Sequence, residues 1–178
     1  RDDVESRGLG DVYKRQAIDD ADVLIFTSPV YVYHTTGAMK SFLDHYGYRW
    51  MVHRPEKKMF SKQAVCISTA AGAGTKSTNK DIADSFFFWG IPKIYKYGVN
   101  VRATSYNGIS ENTLKAIDKK TTALAKKIKA KDGKVKVGIK TKAFFELMRI
   151  IQRKSDWNEA DTDYWHNKGW DGKKRPWK

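Results

Sequence analysis

Residues 21–44 read ADVLIFTSPVYVYHTTGAMKSFLD, and the order of apolar and polar residues in this stretch decides the predicted fold. The apolar run at 23–26 is too short for a helix and too uniformly hydrophobic for a half-exposed strand. Such a run predicts a strand covered on both faces, as in a parallel sheet. Thr27-Ser28-Pro29 is expected to end this strand, because proline lacks the main-chain N–H that a sheet needs.

A helix is predicted after a short polar and aromatic loop. The apolar residues beyond the loop recur at helical spacing and predict one buried face: Met39, Phe42, Leu43 and Tyr46. Lys40 and Asp44 fall on the opposite, wetter side. Strand, loop and helix together make half of a βαβ unit.

This stretch resembles the flavodoxin-like NAD(P)H-dependent FMN reductases through ADVLIFTSPVY and then TGAMKSFLDH. The family pattern is Ala-Asp, an apolar strand, Ser-Pro-x-Tyr, and later Lys-x-Phe-x-Asp-Arg, with His45 here in place of the arginine. The resemblance covers residues 17–101 well and the rest loosely. It implies an α/β fold, a flavodoxin-like three-layer sandwich around a parallel sheet of order 2-1-3-4-5, with flavin at the carboxyl ends of strands 1 and 3.

Later segments continue this pattern. We predict a strand at 63–69, a helix at 78–89, a strand at 94–101 and a long helix at 110–131 with Ser110 as N-cap. By resemblance, residues 21–44 correspond to strand 3 and its helix. The first two strands then have no counterpart, nor does the loop that holds the FMN phosphate at a helix N-terminus.

Residues 1–16 do not look native and are expected to bury little. They are polar and lack a sustained period, and residues 11–16 are one translation of GATGTGTATAAGAGACAG, which resembles a transposon-end sequencing adapter. The alternative is an ordinary polar arm. We therefore predict a non-native segment at 1–16, a partial flavodoxin-like domain at 17–133 and a basic, tryptophan-rich extension at 134–178.

A second small-residue loop follows the strand at 63–69. It is not a P-loop, because the Walker pattern needs glycine where Ala70 and Thr75 stand. The loop resembles the family segment that borders the flavin ring, although a purely structural glycine turn stays open. The resemblance implies a flavin-binding set in two loops: Ser28, Pro29, Val30, Tyr31, Thr69, Ala70, Ala71, Gly72, Ala73 and Gly74. Pro29, Val30 and Tyr31 would border one side of the ring and residues 69–74 the other.

Composition limits the classes of function. The chain has 178 residues, a formal net charge of +14 and one cysteine, Cys66, which is expected in the core. The charge fits either acidic partners or a solvated lysine surface. No apolar run approaches the roughly 20 residues of a membrane span, so no membrane insertion is expected, and a single cysteine fits the cytoplasm. The lysines of the 110–131 helix are not interleaved with aromatics, so no specific nucleic-acid partner is expected.

The extension after residue 133 predicts a helix near 143–152 and then five aromatic residues that should be covered: Trp157, Tyr164, Trp165, Trp170 and Trp177. Two interpretations stay open. The extension packs on the core of its own chain, or it forms the contact of a homodimer, since reductases of this family commonly complete each flavin site from the partner chain.

The resemblance implies an NAD(P)H-dependent flavin oxidoreductase, in which NADH or NADPH gives a hydride to FMN and electrons pass to a quinone, flavin or other acceptor. The chain as it stands is expected to be an inactive fragment. Two alternatives are a flavodoxin-like electron-transfer or flavin-binding module without NAD(P)H turnover, and a basic nucleic-acid or membrane-surface binding protein. The histidines show no metal-ligand spacing and no nucleophile–base pair is evident, so no metal and no catalytic side chain is predicted.

Overall fold

The computed structural model describes residues 9–154 and 157–178. Three parallel strands form one sheet in the order β1-β2-β3: β1 Val23–Pro29, β2 Gln63–Ala70 and β3 Lys93–Asn100. The described residues also form six α-helices: α1 Leu9–Asp20, α2 Gly37–His45, α3 Thr75–Phe88, α4 Glu111–Lys129, α5 Ile139–Lys154 and α6 Glu159–Lys168. The fold is α/β and flavodoxin-like, as the sequence predicted.

Strand β2 is the centre of the sheet. It pairs in parallel with β1 and with β3, and its residues 63–66 are all buried. Pro29 lies opposite Thr69 at the end of the first pairing, and Ala70 lies opposite Asn100 at the end of the second. Because all three strands run the same way, the loops that follow them leave from one edge of the sheet.

Strand β1 ends at Pro29, as the sequence predicted, but the reason given there, a lost ladder bond, is wrong. The strand runs to Pro29, and the next residue, Val30, donates its N–H to Thr69 O over 2.9 Å. Alternate residues of a strand direct their N–H groups to opposite sides, so the nitrogen of Pro29 lies on the side away from β2. Proline costs no ladder bond there, because an edge strand needs donors only toward its one neighbour.

The expectation that β1 is covered on both faces is also wrong. Leu24 and Ser28 are buried on one face, whereas Ile25 on the other face is 57% exposed. An apolar run therefore indicated a strand of a parallel sheet but did not reveal that only one of its faces is packed.

The first hydrophobic core fills the space between the packed face of the sheet and helices α2 and α3. The apolar face predicted for α2 is confirmed, since Leu43 and Tyr46 are buried and Met39 and Phe42 pack against the same cluster. Cys66 is buried there, as predicted, and its burial raises the pKa of the thiol to about 12. The cluster also contains Ile18, Leu24, Met59, Ala64, Ile82, Ala83, Phe86, Trp89 and Ile91.

Helix α3 begins at Thr75, three residues before its predicted start. Gly74 is its N-cap, with φ of 96°, so the small-residue loop is shorter than expected and Lys76 and Ser77 belong to the first turn. Helix α4 has the predicted N-cap, with Ser110 Oγ accepting from Thr113 N over 3.3 Å. Its apolar side is only half-buried, and none of its residues is fully buried.

The C-terminal extension packs on its own chain, which is one of the two interpretations that the sequence left open. A second core brings Trp165 and Trp170 of the extension together with Phe145 of α5. Met51 and Phe60, from the segment between α2 and β2, complete it. Trp177 lies against this cluster, with its ring centroid 5.1 Å from that of Phe145.

Hydrogen bonds fasten the extension to residues 52–55, and we call this set of bonds the clasp. Gln152 Nε2 donates to Val52 O over 2.7 Å, Trp165 Nε1 to His53 O over 2.6 Å, and Tyr164 Oη to Pro55 O over 2.7 Å. The buried Asp161 lies 2.8 Å from His53 Nδ1. Burial raises the pKa of Tyr164 to about 12, so its phenol stays protonated and able to donate at neutral pH.

Helix α1 crosses the position at which the native sequence was predicted to begin. It runs from Leu9 to Asp20; Val12 and Tyr13 are exposed, and Ile18 is buried in the first core. Residues 1–8 lie outside the described residues, and the adapter origin of 1–16 stays a prediction.

Within the described ranges, no helix combines the length and apolar character needed to span a membrane. The same residues contain no group of three or more histidine, cysteine, aspartate or glutamate side chains placed to hold a metal ion.

Replacing Trp165 with alanine should lower the free energy of unfolding by about 3–5 kcal/mol, because a fully buried indole leaves a large cavity. Trp157→Ala is the matched control. Trp157 is 91% exposed, so the expectation that it is covered is wrong, and its replacement should cost less than about 0.5 kcal/mol. Urea unfolding followed by circular dichroism measures both. Equal effects would mean that the extension does not pack as described.

Candidate functional site

Two loops meet at the carboxyl edge of the sheet. Loop A, residues 30–36, joins β1 to α2, and loop B, residues 71–74, joins β2 to α3. Strands β1 and β2 are direct neighbours, and Val30 N donates to Thr69 O at their ends. The loops that the sequence assigned to one site therefore leave adjacent strands on one edge.

The two loops touch at Gly74. A Cβ added to Gly74 would lie 2.5 Å from Val30 Cγ1 and 3.1 Å from Tyr33 Cα, and its φ of 96° is one that other residues rarely adopt. The hydroxyl of Ser77, in the first turn of α3, donates to Tyr33 O. Glycine is thus required at position 74 both by backbone conformation and by the close approach of loop A.

Loop A turns sharply at its tip. Tyr31 and His34 exchange two main-chain hydrogen bonds of 3.0 Å, and the residues between them, Val32 and Tyr33, have φ of 49° and 66°. Positive φ at both central residues is typical of a type I′ turn, which normally uses asparagine and glycine. A β-branched valine is strained in this conformation, and Val32 is 93% exposed. The tip is thus a strained, protruding apolar surface.

Side chains from β1 and α3 hold loop A in place. Asp81 of α3 lies 2.9 Å from His34 Nδ1 and accepts from Thr35 N over 3.3 Å. Ser28 Oγ accepts from Thr36 N over 3.2 Å, and Thr36 Oγ1 in turn accepts from Met39 N as the N-cap of α2. The sequence analysis missed the roles of Asp81 and Ser77, because each lies more than 40 positions from its partner in loop A.

Loop B offers unused main-chain donors. No acceptor is present within the described residues for the N–H groups of Ala71, Gly72 and Ala73, and Gly74 gives α3 no side-chain cap. The N-terminus of α3 adds the positive end of a helix dipole at this position. Asn100, at the end of β3, donates to Gly72 O over 2.7 Å and fixes the loop.

The predicted site residues differ in exposure. Those exposed are Pro29, Tyr31, Thr69, Ala71, Gly72 and Ala73; Val30 and Gly74 are half-buried, and Ser28 and Ala70 are buried. Ser28 supports loop A from below through its hydroxyl. The exposed members form a surface of small residues and one aromatic ring beside free N–H donors.

One cavity of about 760 Å³ borders this surface at Thr69. It lies between the sheet and α4, and Ile67, Tyr97, Val99 and Tyr106 are among its lining residues. Its volume falls within the range of small-molecule and cofactor sites. Thr69 is the one predicted site residue among those that line this cavity. The loop surface itself, an aromatic ring beside main-chain donors, suits a planar, partly apolar ligand with a hydrogen-bond acceptor or negative charge.

Comparison with known proteins identifies a family. Residues 12–105 match the sequence model of the family described as NADPH-dependent FMN reductase, which is more than half of the chain. No curated protein matches the chain.

Several solved structures are similar to the chain. A flavone reductase has 15% identity and a TM-score of 0.46 over 59% of this chain and 42% of its own. An NADH:FMN oxidoreductase in its apo form has 17% identity and a TM-score of 0.45 over 64% of this chain and 59% of its own. A thermophilic tryptophan halogenase, given as from Streptomycin violaceusniger, has 14% identity and a TM-score of 0.44 over 62% of this chain and 72% of its own. The chain thus spans less than half of the flavone reductase.

Replacing Gly74 with alanine should lower the free energy of unfolding by about 1–3 kcal/mol, because the residue must keep a positive φ against Val30. Gly72→Ala is the matched control in the same loop; a Cβ there meets nothing within 4 Å, and its effect should stay within about 0.5 kcal/mol. Thermal and urea unfolding measure both. A Gly74→Ala protein as stable as Gly72→Ala would contradict the contact between the loops.

Proposed function

This chain belongs to the NADPH-dependent FMN reductase family, and from that premise we propose that it acts as an NAD(P)H-dependent flavin oxidoreductase. Bound FMN would supply the hydride acceptance and electron release that side chains lack. NADH or NADPH would be the donor, and a quinone, a flavin or another small molecule the acceptor. The observation that carries the proposal is the meeting of loops A and B at one sheet edge, with free N–H donors next to an exposed tyrosine.

Loops A and B would have different roles in binding the flavin ring. Tyr31, which is exposed on loop A, would pack against the ring and exclude water from it. The N–H groups of Ala71, Gly72 and Ala73 would hold negative charge on the ring, as preorganised donors do in other oxidoreductive and acyl-transfer sites. Because Val30 and Gly74 are already in contact, the ring would lie over the surface that the two loops share.

The described residues offer fewer contacts to the phosphate end of FMN than to its ring. Within the described residues β1 is an edge strand with no neighbour on the side away from β2, and a flavodoxin-like sheet places its phosphate loop beside that edge. We infer that this chain by itself binds the ring without a full phosphate site, and that its FMN affinity and turnover are low.

Titration of the chain with FMN, followed by quenching of flavin fluorescence, tests the site. We expect weak saturable binding, with a Kd on the order of 0.1–1 mM. Tyr31→Ala should weaken it about fivefold, since ring packing is worth on the order of 1 kcal/mol, whereas Tyr31→Phe keeps the ring and should bind like the wild type. Absence of saturable binding, or equal binding by both variants, would contradict the site.

NADPH and NADH oxidation in the presence of saturating FMN separates the proposed enzyme from a flavin-binding module. Slow oxidation of either nucleotide that requires FMN is the expected result, since a chain without a full phosphate site should be close to inactive. Flavin binding with no FMN-dependent oxidation would favour the electron-transfer module instead. A yellow protein that retains FMN through gel filtration would contradict the low affinity.

A homodimer is the second part of the proposal. Docking of the extension on its own chain covers Trp165 and Trp170, but it leaves an apolar stripe on the outer side of α5 in contact with solvent: Ile139, Leu147, Ile150 and Ile151. These residues recur at helical spacing, and contiguous apolar surface of this kind is typical of subunit contacts. We propose that α5 pairs with α5 of a second copy.

Sedimentation velocity tests the dimer. The wild type should sediment as a dimer, and the double variant Leu147→Glu with Ile150→Glu as a monomer, because two buried carboxylates would oppose association. Thr122→Glu with Ala123→Glu is the matched control on exposed positions of α4, and it should stay dimeric. A monomeric wild type, or a control that dissociates equally, would contradict the contact.

A further inference from the structure

Six lysines converge on one cavity far from the loops described above. The cavity has a volume of about 730 Å³, and we call it the lysine cavity. Its cationic lining residues are Lys57, Lys58, Lys136, Lys142, Lys168 and Lys178. They come from the turn before β2, the stretch before α5, α5 itself, the end of α6 and the chain's last residues.

The lysine cavity lies at the opposite end of the sheet from loops A and B, which form the candidate flavin surface. Residues 57–61 directly precede β2, whereas loops A and B follow their strands. The eight residues of β2 separate the two ends by roughly 25 Å at about 3.3 Å per residue. A ligand in the lysine cavity is therefore not the flavin of the proposed reaction.

The charge of the lysine cavity is poorly balanced. Glu56 is the one carboxylate side chain among its lining residues, and Lys58 is paired with Asp20 over 3.2 Å. Lys168 lies over the ring of Tyr164, and Lys57 reaches the main-chain oxygen of Lys178 at 3.5 Å. Among the described residues, Lys136 and Lys142 have no carboxylate partner. Gathering like charges without counter-charges is unfavourable, and a bound polyanion would relieve it.

The walls of the lysine cavity are apolar. Phe60 and Val137 are buried beneath it, and Trp177 is half-buried at its side with its ring 5.7 Å from that of Phe60. This separates it from an ordinary solvated lysine surface, in which the ammonium groups surround no shared apolar wall. Trp177 is held by its packing, so it presents a fixed planar surface.

A second cavity next to the lysine cavity is also lined by lysines. It has a volume of about 550 Å³, shares Lys57, Lys168 and Lys178 with the lysine cavity, and adds Lys173 and Lys174. Lysine binds phosphate as a compact point charge. The two neighbouring cavities thus offer room and cations for more than one phosphate group, with Trp177 lining the first.

We propose that the lysine cavity binds a phosphate-bearing small molecule, with its phosphates among Lys136, Lys142 and Lys168 and its ring or apolar part against Trp177. A phospholipid headgroup offers the same phosphate chemistry. Phe60 and Trp177 form concave walls. Such walls suit a soluble ligand that enters the cavity better than a flat lipid surface, which would lie across its mouth.

Isothermal titration with ATP and with inorganic tripolyphosphate tests the site. ATP should bind more tightly than tripolyphosphate, because only ATP carries a ring for Trp177, and Trp177→Leu should abolish the difference while circular dichroism confirms folding. Lys136→Gln with Lys142→Gln should weaken both ligands about tenfold. The matched control, Lys119→Gln with Lys127→Gln, removes the same charge from exposed positions of α4 and should change affinity less than about twofold.

Equal weakening by the two double variants would overturn the proposal in favour of nonspecific charge attraction. Phosphatidylcholine vesicles containing phosphatidylglycerol provide the lipid arm. Binding to these vesicles that depends on Lys136 and Lys142, with no binding of ATP, would assign the lysines to a lipid surface and overturn the soluble ligand. Neither result depends on FMN, so flavin binding is tested separately.

Discussion

The parallel pairing of β2 with both of its neighbours is the constraint on which the molecule depends. A parallel pair cannot be joined by a tight turn, so each strand must be followed by a helix that returns along the sheet. Helices α2 and α3 serve this purpose and supply the first core through Leu43 and Phe86. The same geometry sends every strand-to-helix loop to one edge. The candidate flavin surface, formed by loops A and B, therefore owes its position to strand direction rather than to any individual side chain.

Short-range patterns in the sequence predicted the three strands and four of the six helices of the described residues, because β1 and β2 are apolar runs and the predicted helices have an apolar face or a cap. The N-cap roles of Thr36 and Ser110 depend on residues three positions away, so they are readable locally. Contacts between residues far apart in the sequence could not be predicted in this way. The pairing of His34 with Asp81, the docking of Trp165 on His53 O and the open face at Ile25 depend on residues brought together only by the fold.

The candidate site, too, could be predicted from the sequence only in part. Its loops could be located from Pro29, Tyr31 and the small residues of 71–74, and the resemblance to flavin reductases assigned them together. The positive φ of Val32 and Tyr33 could not be foreseen, since a Val-Tyr pair is a poor sequence for such a turn. The turn is imposed from outside by Ser77 on Tyr33 O and by Asp81 on His34, which is how strained backbone persists at functional surfaces.

The clasp has a consequence for the order in which the chain can mature. Trp165 follows its partner His53 by 112 positions, and a ribosome that adds about 5–20 residues per second needs on the order of ten seconds to deliver it. During that interval Met51 and Phe60 lack the cover that the extension gives them in the second core. Completion of the second core therefore waits until the extension has been synthesised.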